Sequence, residues 1–284
     1  GKVYLFFEEI QNIPDWQEVI KSFYDQNENL KNIVSGSSSL FIKKKSLESL
    51  AGRIIEIEVA PLNFVEYLKL NHADFQIQVK NKLWIKTNMG ILNSYFGNYL
   101  RRGQFPEIIT QDLNLEQARQ YLDTIEEKIT QQDLPKLFPI KHPEILNLIM
   151  NQIKINPGQR IEYDEFAQNA GLDQRTISKY FDYLQKGFLI SLCRNYGKKP
   201  LKSLRVAKKA YLVSSNFCNQ AQISALVENY IFNFFHQRRL SVYFQKEKEI
   251  DFVVENKEGN IIIVVVIYQN EIKSEDMRNL KDFL

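Results

Sequence analysis

The chain has 284 residues with a formal net charge of +3, 44% hydrophobic and 25% charged residues, and two cysteines that form no CxxC pair. This composition is typical of a soluble globular protein, and it argues against global disorder, a disulfide scaffold and a cysteine-rich zinc site; at roughly 150 residues per domain, the length predicts about two domains. The longest apolar run, Ile261–Tyr268, is too short for a membrane helix of ~20 residues, and no secretory signal opens the chain, so we expect a cytoplasmic protein without a membrane partner.

The first sixty residues predict an α/β parallel sheet. Residues 2–7 and 30–34 are short apolar runs typical of buried strands, and Pro14–Tyr24 between them has the apolar spacing of a helix. A third strand is expected over Ile54–Val59, where apolar residues alternate with glutamates. Strand, helix, strand and strand in this order are typical of a parallel α/β sheet.

The middle of the chain is predicted to be helical. Residues 62–134 carry loosely spaced apolar residues, and the segment Arg101–Pro106 interrupts them. Residues 144–190 contain a clearer three-helix pattern, in which a tight turn at Ala170–Asp173 precedes the third helix and a strand over Phe188–Leu192 follows it. Two helices joined by a tight glycine turn and followed by strands are typical of a winged helix-turn-helix.

The C-terminal part alternates again. Ala225–His236 has the pattern of an amphipathic helix. Short strands are expected over Ala210–Val213, Val242–Phe244, Ile250–Val254 and Ile261–Tyr268.

Two adjacent carboxylates, Glu8 and Glu9, follow the first apolar strand directly. A buried strand that delivers two acids to its C-terminal end is the physical content of a Walker B motif, in which one acid holds Mg²⁺ through water and the next orients or deprotonates the attacking water. The polar cluster Ser35–Ser39 ends the next strand, where a sensor residue would contact a γ-phosphate. The alternative is a strand followed by solvated acids on a loop.

Further short motifs follow in a fixed order: Leu50–Arg53 (LAGR), Glu58–Leu68 (EVAPLNFVEYL) and Leu100–Pro106 (LRRGQFP). Together with Glu8–Gln11 (EEIQ) and the serine cluster, they resemble a large prokaryotic family of AAA+-type ATPases. The last motif resembles the lid segment G-G-(F/M)-P of that family, with Gln104 where a second glycine is usual. The resemblance extends over the winged helix and a nuclease-like C-terminal domain, and so over essentially the whole chain.

The resemblance implies roles for single residues and implies ATP and Mg²⁺ as cofactors. Glu9 matches the catalytic glutamate, and Glu8 matches the Mg²⁺-site aspartate, although it is one methylene longer. Ser35 and Ser37 match the sensor stretch. Arg53 matches an arginine that would reach a phosphate in cis or across a subunit interface of an oligomer; the alternative is an ion pair with Glu56 or Glu58.

The sequence contains no GxxxxGK(S/T) phosphate-binding loop. In the family this loop lies upstream of the position that Gly1 matches. We therefore expect the chain to be a piece of a longer protein, truncated before the Walker B strand, that does not bind ATP well by itself.

A basic stretch predicts a nucleic-acid partner. Between Asp182 and Glu228 the sequence has no acidic residue, and phosphate contacts need such a positive surface. The third helix of the winged-helix pattern would read bases near its N-terminal half. The alternative is a winged helix that makes only protein contacts. The candidate nucleic-acid residues are Arg175, Lys179, Lys198, Lys199, Lys202 and Arg205.

The C-terminal pattern resembles a restriction-endonuclease-like core whose catalytic groups are partly replaced. Glu228 on a helix and Asp251 on a strand match two acidic positions of that core. Val265 and Ile267 stand where the core has its glutamate and lysine. The resemblance therefore implies a degenerate nuclease site, retained for packing, and we expect Val265 and Ile267 to face the Asp251 side of the sheet.

We therefore predict an α/β chain with four parts: a partial parallel-sheet ATPase core of the P-loop type over 1–68, a helical lid over 69–140, a winged helix over 141–196 and a nuclease-like α/β domain over 197–284. Its expected function is that of an ATP-binding fragment whose full-length form hydrolyses ATP. The alternative is a non-enzymatic DNA-binding or scaffold protein that uses the winged helix and the basic stretch.

Overall fold

The computed structural model describes residues 1–10, 13–36, 50–71, 81–197, 208–218, 220–247 and 249–269. It is a mixed α/β structure with a small parallel sheet near the N-terminus, a helical middle and a larger mixed sheet near the C-terminus. Among the residues described, none of the helices combines the length and apolar character that crossing a bilayer requires.

The N-terminal unit, residues 1–60, is built on strand β1 (Val3–Phe7), helix α1 (Trp16–Gln26) and strand β2 (Leu30–Val34). The two strands pair in parallel, with Val3 opposite Leu30 and Phe7 opposite Val34. One face of α1 packs Trp16 and Ile20 into a small core with Ile10 and Leu50. The predicted strand, helix and parallel strand are confirmed.

The burial predicted for this sheet is wrong, and so is its third strand. Tyr4, Phe6 and Ile33 are exposed because α1 covers only the other face of the two strands. Ile55 and Val59 are 89% and 92% exposed, and residues 54–60 belong to no helix or strand. A strand needs a neighbour for its backbone groups, and no described strand pairs with this segment.

A helical segment follows as expected, over residues 62–71 and 81–137 of the described chain. Gly103 ends the helix Met89–Arg102 and donates its N–H to the Tyr99 carbonyl, which confirms the break predicted at Arg101–Pro106. Asn114 and Gln117 form a reciprocal capping box at the start of another helix. The helices are α2 (Phe64–Asn71), α3 (Lys82–Thr87), α4 (Met89–Arg102), α5 (Pro106–Thr110), α6 (Leu115–Lys128) and α7 (Leu134–Leu137), the last two joined by a π-helical turn at Ile129–Asp133.

Three more helices confirm the pattern over residues 144–190: α8 (Glu144–Ile155), α9 (Tyr163–Ala170) and α10 (Gln174–Lys186). Gly171 takes a left-handed conformation at φ 64° and ends α9. The carboxylate of Asp173 accepts the backbone N–H groups of Arg175 and Thr176 and so caps α10.

The five-stranded sheet has the order β4-β3-β5-β6-β7. Only the β3/β5 pair is parallel. Helix α11 (Ile223–His236) packs Phe232 and Phe235 on this sheet. The strands are β3 (Ile190–Asn195), β4 (Lys208–Leu212), β5 (Ser241–Gln245), β6 (Ile250–Glu255) and β7 (Ile261–Val264).

Strand β3 links two of the predicted domains. It pairs with β4 on one side and with β5 on the other, so one sheet runs across the expected boundary between residues 196 and 197. A backbone bridge between Arg160 and Lys209 adds the loop before α9 to the β4 edge. The last strand is shorter than expected, because β7 ends at Val264.

Candidate functional site

Glu8, Glu9 and Ser35 lie at the same edge of the N-terminal sheet. The Ser35 N–H donates to the Phe7 carbonyl at 2.8 Å, and the Ile10 N–H donates to the Ser35 carbonyl at 3.1 Å. The turn that carries Glu8 and Glu9 is therefore bonded to the residue that ends β2. This arrangement follows from parallel pairing, because the carboxyl ends of both strands meet at one edge.

The turn presents both carboxylates to solvent while it buries the next residue. Glu8 and Glu9 are exposed, and Ile10 is almost completely buried against Trp16. Glu9 has φ +48°, a left-handed conformation that costs a residue with a Cβ roughly 1–2 kcal/mol. The buried Ile10 side chain and its backbone bond to Ser35 hold the turn in this conformation.

Arg53 lies elsewhere. Its Nε atom donates to Asp25 Oδ1 at 3.1 Å, and its guanidinium carbon lies 5.9 Å from the Tyr24 ring centre. The ion-pair partner is therefore Asp25, and neither Glu56 nor Glu58 as considered from the sequence. Asp25 belongs to the last turn of α1, whereas Glu9 precedes its first turn, and a helix of 11 residues is about 16 Å long. The structure does not bring Arg53 to the edge that carries Glu9.

The candidate nucleic-acid residues are only partly within the described chain. Arg175 and Lys179 are exposed, and they lie four residues apart on α10, away from the face that buries Ile177 and Phe181. Ser37 of the sensor stretch and the basic residues Lys198, Lys199, Lys202 and Arg205 lie outside the described residues.

Several lysines that the sequence placed in the basic stretch have acidic or aromatic neighbours. Lys186 Nζ lies 2.8 Å from Asp182, the acidic residue that precedes the acid-free stretch. Lys209 pairs with that Glu228 at 3.0 Å. Burial lowers the pKa of Lys208, and the positive charge of Arg194 lowers it further. Folding thus neutralises part of a charge that is uninterrupted in the sequence.

Glu228 and Asp251, the acidic residues of the predicted degenerate nuclease site, both accept hydrogen bonds from other residues of this chain. Glu228 Oε1 accepts the Tyr211 hydroxyl at 2.7 Å and the Lys209 ammonium at 3.0 Å. Asp251 Oδ2 accepts the backbone N–H of Val266 at 2.8 Å, between Val265 and Ile267. Sequence reasoning missed Lys209 and Tyr211 as partners of Glu228. The spacing of Lys209 and Tyr211 could have indicated that both side chains lie on one face of β4, since residues i and i+2 of a strand share a face.

The acidic pair shares one half-buried environment. Burial raises the pKa of Asp251, the Val266 N–H opposes this rise, and the negative charge of Glu228 adds to it. Among the described residues, no cluster of three or more His, Cys, Asp or Glu side chains is arranged to hold a metal ion.

Two family models match different parts of the chain. Residues 1–68 match the family described as "AAA domain". This segment is AAA-like. The resemblance to AAA+-type ATPases inferred from the EEIQ, LAGR and PLNFVEYL motifs is thereby confirmed for the N-terminal part. Residues 93–225 match a domain of unknown function, DUF8612.

Relatives align with nearly the whole chain. An uncharacterized protein of Haemophilus influenzae is 25% identical over 99% of this chain and 70% of its own length. The uncharacterized protein MJ1544 of Methanocaldococcus jannaschii is 28% identical over 95% of this chain, which spans 62% of that relative. Among solved structures, the Walker-type ATPase PABY2304 of Pyrococcus abyssi aligns with 77% of this chain and 62% of its own, at 15% identity and a TM-score of 0.44.

Proposed function

We propose that the chain is part of an ATP-hydrolysing AAA-like protein in which Glu9 activates the attacking water. The observation that supports this proposal is the bonded edge where Glu8, Glu9 and Ser35 lie together at the carboxyl ends of two parallel strands. Ligands of α/β sheets bind at such edges. The AAA match over residues 1–68 supports ATP as the substrate.

The side chains at this edge fit part of a nucleotide–magnesium site. Mg²⁺ prefers oxygen ligands and keeps several waters, which suits the exposed carboxylate of Glu8. When bound, Mg²⁺ would neutralise phosphate charge. Glu9 would accept a proton from the attacking water, and the Ser35 hydroxyl would donate a hydrogen bond to a phosphate oxygen. The cradle for the phosphates would come from outside these 284 residues, because the sequence has no GxxxxGK(S/T) motif.

Arg53 fits this proposal only across a subunit interface. Its bond to Asp25 holds it at the far end of α1 from Glu9. Both side chains are partly exposed, so the pair is worth about 1 kcal/mol or less and can exchange for a phosphate of a neighbouring subunit.

The decisive experiment is Glu9→Gln in the longer protein that contains this chain. Losing a general base lowers turnover by about 10²-fold or more. Gln keeps the shape of the side chain, so we expect nucleotide affinity to stay within a few-fold. Glu18→Gln, a substitution of the same chemistry on α1, is the control. Unchanged ATP turnover in Glu9→Gln would remove Glu9 from the mechanism.

A second proposed function is nucleic-acid binding through a winged helix over residues 144–212. The support is topological and electrostatic: α8, the Arg160–Lys209 bridge, α9, α10 and the β3–β4 hairpin follow in winged-helix order. The exposed Arg175 and Lys179 project from the third helix. Nucleic acid rather than protein is the partner that this basic helix face favours.

This second function predicts salt-dependent binding to duplex DNA. Replacing both Arg175 and Lys179 by Ala removes up to two phosphate contacts, so the slope of log affinity against log salt should fall by about 0.9 for each contact. Lys186→Ala is the control, because Lys186 is paired with Asp182. If the wild-type chain shows no salt-sensitive retention of duplex DNA at low ionic strength, the segment is a protein-contact module.

For the C-terminal sheet we propose a nuclease-like fold without nuclease activity. The support is that Glu228 and Asp251 are engaged by Lys209, Tyr211 and the Val266 N–H, while the matching positions Val265 and Ile267 offer no metal ligand. Cleavage of plasmid DNA with Mg²⁺ or Mn²⁺ that Asp251→Ala abolishes would refute this assignment.

A further inference from the structure

Gln104 and three residues more than a hundred positions away form a buried polar cluster, which we call the Gln104 junction: Gln104, Ser214, Ser215 and Asn216. Gln104 is 4% exposed, and the other three are 1% exposed or less. Buried polar side chains cost free energy unless they are hydrogen-bonded. The contacts of these four residues therefore decide how the two parts of the chain are held.

The side chain of Gln104 is bonded through both ends. Its Oε1 atom accepts the Ser214 hydroxyl at 2.6 Å and the Ser215 backbone N–H at 3.1 Å. Its Nε2 atom donates to the Ser215 hydroxyl oxygen at 3.0 Å. A glycine, usual at this position in the family that the motif resembles, could make none of these bonds.

Asn216 and Ser215 also form hydrogen bonds to the backbone at the end of α4. Asn216 Oδ1 accepts the Gln104 backbone N–H at 2.7 Å, and Asn216 Nδ2 lies 3.0 Å from the carbonyl oxygens of Tyr99 and Leu100, to which it donates. The Ser215 hydroxyl donates to the Leu100 carbonyl at 2.7 Å. The Tyr99 and Leu100 carbonyls in the last turn of α4 thus accept hydrogen bonds from the segment that follows β4.

Apolar packing runs across the same joint. Tyr67, Tyr99 and Leu100 of the helical segment share a buried core with Leu226 and Val227 of α11. The helical segment and the C-terminal sheet are therefore joined by a polar network and by a continuous core.

The N-terminal unit is attached differently. Its core of Ile10, Trp16, Ile20 and Leu50 shares no member with the other buried clusters. The connection runs through residues 54–60, which belong to no helix or strand and are largely exposed. The AAA match over 1–68 covers the N-terminal unit, residues 54–60 and the start of α2, whereas the DUF8612 match over 93–225 contains both sides of the Gln104 junction.

We infer that the Gln104 junction makes the helical segment and the C-terminal sheet one rigid body, which moves against the N-terminal unit about residues 54–60. The body would carry any movement of the lid directly to the C-terminal sheet. The idea that ATP hydrolysis drives this movement rests on the proposed ATPase function. The existence of the rigid body does not depend on that function.

Amide hydrogen exchange of the chain, with and without low urea, tests the inference. Gln104→Ala removes the acceptor of the Ser214 hydroxyl and of the Ser215 backbone N–H, and it removes the donor to the Ser215 hydroxyl oxygen. We therefore expect the amides of Leu62, Gly103 and Ser215–Cys218 to exchange about 10- to 100-fold faster, as one group. The amides of Val3 and Ser35 in the N-terminal unit should keep their wild-type rates. Gln159→Ala, the same change at an exposed loop position, is the control.

Two further variants keep the result interpretable. Gln104→Met fills the space without making the bonds, and it should accelerate exchange as much as Gln104→Ala. Ser215→Ala removes only the hydroxyl contacts, and it serves if the Gln104 variants do not fold. Acceleration on one side of the junction alone, or equal acceleration in the N-terminal unit, would overturn the inference. Because no nucleotide is used, failure here is separate from failure of the Glu9 assignment.

Discussion

Gly158 lies directly against Glu228: a Cβ on residue 158 would sit 2.9 Å from Glu228 Oε1. That oxygen is the one that accepts the Tyr211 hydroxyl and the Lys209 ammonium. Gly158 also donates its N–H to the Ala210 carbonyl at 2.8 Å. The loop between α8 and α9 therefore packs directly against the Glu228 carboxylate.

Gly158→Ala should destabilise the protein by about 2–4 kcal/mol. Part of this arises because φ is +88°, where a Cβ costs roughly 1 kcal/mol or more, and part because Glu228 must shift away from hydrogen bonds worth about 1 kcal/mol each. Urea unfolding followed by circular dichroism measures the change.

Gly171→Ala is the matched control for this prediction. Gly171 also has a positive φ, of 64°, but a Cβ there would meet nothing within 4 Å. Its cost should therefore be the conformational part alone, about 1 kcal/mol. Equal losses in the two variants would show that the contact with Glu228 has no energetic weight.

The sequence was sufficient to predict those elements that depend on local patterns. The helix break at Arg101–Pro106 and the tight turn at Ala170–Asp173 follow from nearest-neighbour chemistry, and both are confirmed. The order of strand, helix and strand with acids at the sheet edge was predictable for the same reason. The roles of Glu8, Glu9 and Ser35 in chemistry stay predictions.

What could not be predicted depends on partners distant in sequence. Ile57 alternates like a strand residue, but a strand also needs a neighbour that periodicity does not reveal. Arg53 has acids at positions 56 and 58, yet it bonds Asp25, which is 28 residues away. Gln104 was visible as a departure from a glycine-rich motif, whereas nothing in Ser214–Asn216 indicated its partners.

Glu126 and Lys154 form a buried ion pair between α6 and α8. Lys154 Nζ lies 2.7 Å from Glu126 Oε2, and the two side chains are 6% and 7% exposed. Burial raises the pKa of Glu126, and the bond to Lys154 opposes the rise. Glu126→Gln leaves the lysine charge buried with only the more distant Asp123 as an acidic neighbour, so we expect a loss of about 3 kcal/mol in unfolding free energy.

Replacing both partners tests the cause of that loss. In the double variant Glu126→Leu with Lys154→Met no charge is left buried, and such replacements are often neutral or stabilising by about 1–4 kcal/mol. We therefore expect the double variant to be more stable than Glu126→Gln alone in chemical denaturation. A double variant that is less stable than the single one would mean that the ion pair itself stabilises the helix contact.

Asp251 should make stability depend on pH. Its pKa in the folded protein is raised, chiefly by burial, and Glu228 on α11 adds to the rise, whereas Lys209 on β4 opposes it. A carboxyl with a raised pKa contributes most to stability below its unfolded pKa of about 3.9, and this contribution is lost as the pH rises through the folded pKa.

Asp251→Asn keeps an oxygen for the Val266 N–H and removes the titration. The variant should therefore gain stability relative to wild type between pH 4.5 and pH 7.5 in urea unfolding, whereas Asp112→Asn, at a side chain 93% exposed, should show no such trend. If the wild-type protein instead became more stable relative to Asp251→Asn as the pH rises, the result would contradict the raised pKa and the burial of this carboxylate.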